Sequence, residues 1–123
     1  AIDHAVLSDG CIINRAQISD SIVGVRSVVG DGTMIQRVVM MGADYYESAD
    51  SIDRNNTLGR PPLGIGSNTR IQNAIIDKNA RIGNNCIISP AGKDEDCDGE
   101  TYYVRDGIVI IPKNAIIPDN TVI

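Results

Sequence analysis

Residues 65–87 read IGSNTRIQNAIIDKNARIGNNCI, a run of short repeated units. An apolar residue heads each of four successive short units, at Ile65, Ile71, Ile76 and Ile82, and Gly, Asn or Asp follows close behind. Three of the units keep a period of six; the step from 71 to 76 is one residue short. The pattern extends in both directions. Upstream, Val23, Val29, Ile35 and Met41 head the units VGVRSV, VGDGTM, IQRVVM and MGADYY. Downstream, Ile111 and Ile117 head IPKNAI and IPDNTV, and the series ends at Ile123. Residues 6–22 continue it in one of two phases, through Val6, Ile12 and Ile18 or through Leu7 and Ile13.

A unit of this kind is a short strand and a corner. The head points into the core, while Gly, Asn and Asp tolerate the left-handed backbone that a corner needs. Four positions after the head stands a small or β-branched residue, as at Ser27, Thr33, Thr69, Ala80, Cys86, Ala115 and Thr121, which packs inward beside the turn. Three units per turn make a triangular prism whose coils stack at the ladder spacing of about 4.8 Å, a parallel β-helix. Composition agrees: 20 Ile and 10 Val stand against 3 Leu, with no Phe or Trp. Such stiff side chains suit pleated surfaces better than helices. A length of 123 residues sets one domain, all-β, over residues 1–123. Two segments interrupt the repeat, at about 44–64, with a helical turn expected near 47–55, and at about 89–106, expected as an acidic loop. Insertions in solenoids project outward.

A net charge of −5 opposes binding to a nucleic-acid backbone, which requires clustered Lys and Arg. No apolar run approaches the roughly 20 residues that span a bilayer, so neither a membrane nor a secretory role is expected. Cys11, Cys86 and Cys97 are an odd number without a close pair, which points to a reducing compartment. Cys11 and Cys86 fall at inward slots and Cys97 stands among carboxylates, so no nucleophile emerges. The chain opens on Ala1 rather than Met, as a piece of a longer or processed chain would.

Other chemistry is weakly supported. Asp94, Asp96, Asp98 and Gly99 match the first half of a calcium loop, but Arg105 stands where its bidentate Glu belongs. Gly64-Ile65-Gly66 lacks the third glycine and the helix of a dinucleotide site. The sequon Asn55-Asn56-Thr57 matters only in a secreted protein. Hexad β-helices include acyltransferases and a zinc carbonic anhydrase, both dependent on histidine, and this chain has only His4, near its start. No metal site is expected.

The three lysines carry more information. Two of them, Lys78 and Lys113, occupy the same slot of matching units, IDKNA and IPKNA. If residues 88–110 supply just one further face around their insertion, the two units stack on the same face of the prism, one coil apart. Two ammonium groups so placed repel unless an anion lies between them, which makes the pair a candidate phosphate or carboxylate site. The plainer alternative is two solvated surface lysines.

The segments SIVGVRS (21–27), MMGADYYE (40–47), PLGIGSNTRIQNAIIDKNARIG (62–83) and DGIVIIPKNAIIPDNTVI (106–123) resemble the C-terminal domain of plant and algal glucose-1-phosphate adenylyltransferase, or ADP-glucose pyrophosphorylase. GADYYE and IIDKNARIG are the most specific parts. The resemblance implies a left-handed coil and a regulatory and assembly domain. The parent enzyme makes ADP-glucose and pyrophosphate from ATP and glucose 1-phosphate in starch or glycogen synthesis. It places catalysis in a separate N-terminal domain that binds ATP and Mg²⁺, so no catalytic residue and no cofactor is expected within these 123 residues. It implies that Lys78 and Lys113 bind the effectors 3-phosphoglycerate and phosphate, with Arg81 assisting. The expected partners are the catalytic domain of the same chain and other subunits of a tetramer. The expected compartment is the plastid stroma in a plant or alga and the cytoplasm otherwise. From another class, a β-helix scaffold without ligand accounts equally for the repeat.

Overall fold

The computed structural model describes all 123 residues. In chain order the strands are β1 (Ile2–Leu7), β2 (Ile12–Ile13), β3 (Gln17–Val23), β4 (Val28–Val29) and β5 (Met34–Met40). A helix α1 (Ala49–Thr57) follows, then β6 (Gly64–Ile65), β7 (Arg70–Ile76), β8 (Arg81–Ile82), β9 (Ile87–Ile88), β10 (Cys97–Asp98), β11 (Tyr103–Arg105), β12 (Ile108–Ile111) and β13 (Ile116–Ile117). Strands β1, β3, β5, β7 and β12 stack in parallel along the molecule, and so do β2, β4, β6, β8 and β13. No helix is long and apolar enough to cross a membrane.

The registers set the coil. Ile18 pairs with Ile35, Val23 with Met40, Ile65 with Ile82 and Ile71 with Ile88, so an uninterrupted coil takes 17 residues in place of 18. The missing residue is lost at one corner. Strands β3, β5 and β7 each run across it, with Asp20, Arg37 and Asn73 at φ 49°, 52° and 49°. Buried heads on either side of that corner lie five apart: Ile18 and Val23, Ile35 and Met40, Ile71 and Ile76. The short step from 71 to 76 is therefore the rule for this face. It also corrects one head: Met40 is buried and Met41 is 47% exposed. At the N-terminal end the phase runs through Leu7 and Ile13, which pair with Val23 and Val29, while Val6 and Ile12 face outward.

The inward small residues make a polar ladder inside the apolar core. Ser27, Thr33, Thr69 and Cys86 are buried as expected. The Thr33 hydroxyl donates to the Gly66 carbonyl (2.6 Å), and Thr69 donates to that of Gly83 (2.8 Å) while accepting from the Cys86 amide (3.2 Å). Each hydroxyl thus satisfies the backbone where two coils meet, as buried polar groups must. The corners there pass so closely that a Cβ on Gly66 would lie 2.7 Å from the Gly83 carbonyl, which restricts the position to glycine.

Both interruptions carry structure. Between β5 and β6, α1 starts where the Ser48 side chain accepts from the Ser51 amide (3.1 Å), so the helix lies two residues beyond the expected turn. It buries no residue. The acidic segment corrects the expectation of a plain loop: β10 and β11 run antiparallel and extend the sheet from β12. Val104, wholly buried between exposed Tyr103 and Arg105, supplies the alternation that makes it a strand. Asp98 pairs with Arg105, 2.6 Å apart, and Asp96 accepts from the Asp106 amide. Asp98, reinforced by Asp96, raises the Arg105 pKa against partial desolvation. No three His, Cys, Asp or Glu side chains converge to hold a metal ion.

Candidate anion site at the stacked lysine corner

β7 ends at Ile76, which pairs with Ile111 at the end of β12, so the chain turns the same corner twice, one coil apart. The two passages are locked in register by backbone hydrogen bonds. Asp77 donates to the Ile111 carbonyl (2.9 Å), Asn114 to that of Lys78 (3.0 Å) and Arg81 to that of Ala115 (2.8 Å). Asn79 and Asn114 sit at equivalent left-handed positions, φ 61° and 62°. The units IDKNA and IPKNA therefore stack as their shared slot required, and Lys78 and Lys113 stand on adjacent coils of one corner.

An anion already lies beside them. Asp44, at the start of the 44–64 insertion, places Oδ1 3.1 Å from Lys78 Nζ. Its other oxygen accepts from Asn79 Nδ2 (3.1 Å), and its backbone amide donates to Asn79 Oδ1 (2.9 Å). The Asn79 and Lys78 hydrogen bonds hold the Asp44 carboxyl below the usual carboxylate range, with Lys113 adding to the effect from farther away. Lys113 itself is exposed and forms no ion pair. Both partners of the Lys78–Asp44 pair are nearly half exposed.

Arg81, three residues past Lys78, points away from the coil interior, opposite to Ile82, and is covered by the insertion. Its Nη1 lies 2.7 Å from Glu47 Oε2 and donates to the Pro61 carbonyl (3.1 Å). The side chains of Arg81 and Glu47 are 14% and 4% exposed. Glu47 also accepts from the Leu63 amide (3.0 Å), the Ser51 hydroxyl (2.9 Å) and Asn55 Nδ2 (2.9 Å). Burial raises the Glu47 pKa, but the Leu63 amide, Arg81 and Ser51 outweigh it and hold the carboxyl below its ordinary value. One unit thus grips the base of the insertion twice, through Lys78–Asp44 and Arg81–Glu47. Asp44, Glu47 and Asn79 were not singled out by the sequence reading. The signal was a matched spacing: acids three apart in DYYE and cations three apart in KNAR.

No deep pocket opens here. The cavity beside the corner, lined by Arg26, Asp77 and Asn79 among others, measures about 10 Å³, room for one water. An anion would meet the lysines on an open surface. His4 is far more exposed, its Nδ1 3.5 Å from Asp3 and 3.7 Å from Asp20. Cys86 is buried and donates to the Pro118 carbonyl, Cys11 donates to that of Gly24, and Cys97 is partly buried in β10.

Residues 1–122 match the family described as the GLGC left-handed parallel beta-helix domain. The chain belongs to this family. Its coil is accordingly left-handed. Within the curated proteins, the large subunit 1 of glucose-1-phosphate adenylyltransferase, chloroplastic/amyloplastic, from Zea mays is 45% identical over 122 residues. That alignment covers 98% of this chain and 24% of the maize protein, in its C-terminal part, so this GLGC-type domain spans about a quarter of the relative's length.

Proposed function

We propose that this chain is the regulatory and subunit-assembly domain of a glucose-1-phosphate adenylyltransferase, and that Lys78 and Lys113 bind the phosphate-bearing effectors 3-phosphoglycerate and inorganic phosphate. The observation that carries the reading is the stacking of IDKNA on IPKNA, which sets two lysines on one open corner, with a half-exposed carboxylate as the counter-ion of Lys78. Family membership supports the enzyme, and the maize relative's name supports a plastid setting should the source be a plant.

In this reading the synthesis of ADP-glucose and pyrophosphate from ATP and glucose 1-phosphate belongs to a preceding catalytic domain, where ATP and Mg²⁺ bind. The β-helix contributes control. An effector anion held by Lys78 and Lys113 bridges the corner to the catalytic domain and favours one domain arrangement, a coupling of order 1–3 kcal/mol. Arg81, expected to assist the two lysines, does so in this reading by keeping the insertion seated beside the site through Glu47. The outer surface of the coils packs against other subunits of a tetramer. In the complete enzyme, Lys113→Ala is expected to raise the concentration of 3-phosphoglycerate needed for half-maximal activation. An unchanged activation curve would sink the assignment and leave the scaffold reading in its place.

A further inference from the structure

We infer that Asp44 is a built-in competitor for the anion at Lys78, so that effector binding is an exchange of one carboxylate for another anion and not the filling of an empty site. The inference rests on the reading of Lys78 and Lys113 as an anion site and adds what regulates it. The geometry supports it in three ways. The Asp44 carboxylate holds Lys78 Nζ at 3.1 Å and acts on Lys113 from farther away, so it occupies the charge that an external anion needs. It is 45% exposed on an open corner, so an external anion can replace it without opening the core. The insertion keeps its other clamp when the Asp44 carboxylate lets go of Lys78, because Glu47, three residues on, is separately held by Arg81, the Leu63 amide and Ser51.

A second consequence is that Asp44 sets the threshold of the site. With its charge present, Lys78 is already ion-paired; without it, Lys78 Nζ is left to an incoming phosphate. Asp44→Asn keeps an acceptor for Asn79 Nδ2 and removes only the charge. Titration of the complete enzyme with inorganic phosphate is expected to give a roughly two- to fivefold lower Kd for Asp44→Asn, the range of an exposed ion pair. Asp44→Ala should move the same way. Asp31→Asn, which removes the partner of Arg15 at another corner, changes net charge equally and is expected to leave the Kd in place. The double variant Lys78→Ala/Lys113→Ala separates the two claims. If it binds phosphate as tightly as the unmutated enzyme, the anion site itself is wrong and the competitor with it. If it weakens binding while Asp44→Asn and Asp44→Ala bind no tighter than the unmutated enzyme, the site stands and the competitor role is overturned.

Discussion

Glu47 is the residue on which the attachment of the insertion depends. Its carboxylate has four protein partners and its side chain is 4% exposed, while that of Arg81, its counter-ion, is 14% exposed. Removing one member of such a pair strands the other in a low dielectric, so Glu47→Ala is expected to cost about 3–5 kcal/mol, read as a lowered urea midpoint. The pH dependence follows from the lowered pKa. A carboxyl depressed in the folded state contributes stability that is present above its ordinary value of 4.5 and is lost as pH falls through the folded pKa. Glu47→Gln should therefore flatten the loss of stability between that value and lower pH, and an acid limb as steep as in the unmutated protein would contradict this. The residue scale also shows what sequence could not carry. Lys78 and Lys113 were legible because they share a slot in a repeat. Asp44, the counter-ion of Lys78, lies 34 positions from it in an insertion with no periodicity, so only the fold brings it to the corner.

Among the elements, strands and helix differ in what holds them. The heads of the coils were readable because an inward Ile, Val or Met recurs at nearly fixed spacing. Met40 and Met41 defeated that reading, since both are apolar and the five-residue face becomes visible only once the registers are known. The same short face left Val6 and Leu7 undecided. The hairpin of β10 and β11 was hidden by its acidic composition, although Val104 anchors it in the core. Helix α1 buries none of its residues, so its order depends on local terms: the Ser48 cap, Asp50 in the first turn and the Glu47 contacts to Ser51 and Asn55. Ser48→Ala is expected to cost about 0.5–2 kcal/mol, confined to the insertion. Hydrogen exchange should rise across 49–57 while β7 and β12 keep their protection. Equal loss in the strands would show that α1 is part of the cooperative core.

Over the whole molecule, a solenoid is stabilised by contacts between neighbouring coils, and its end coils lack one neighbour. The first coil shows it. Strand β1 has a free edge, with Ile2 and Val6 50% and 61% exposed, and Leu7, which heads an inward position, 40% exposed. Unpaired edges carrying apolar side chains invite pairing with another chain. Residues 1–123 expressed alone are expected to elute above monomer size on gel filtration, increasingly so with concentration; a sharp monomer peak at all concentrations would contradict that. Under the function proposed above, a preceding domain and other subunits would cover these ends. In that proposal the lysine corner carries the allosteric control. The most direct measurement is ADP-glucose synthesis by the complete enzyme across a range of 3-phosphoglycerate concentrations, for the unmutated protein and for Lys78→Ala/Lys113→Ala. The account predicts that the double variant loses most of its activation or needs far more effector to reach it. Superimposable activation curves would contradict it.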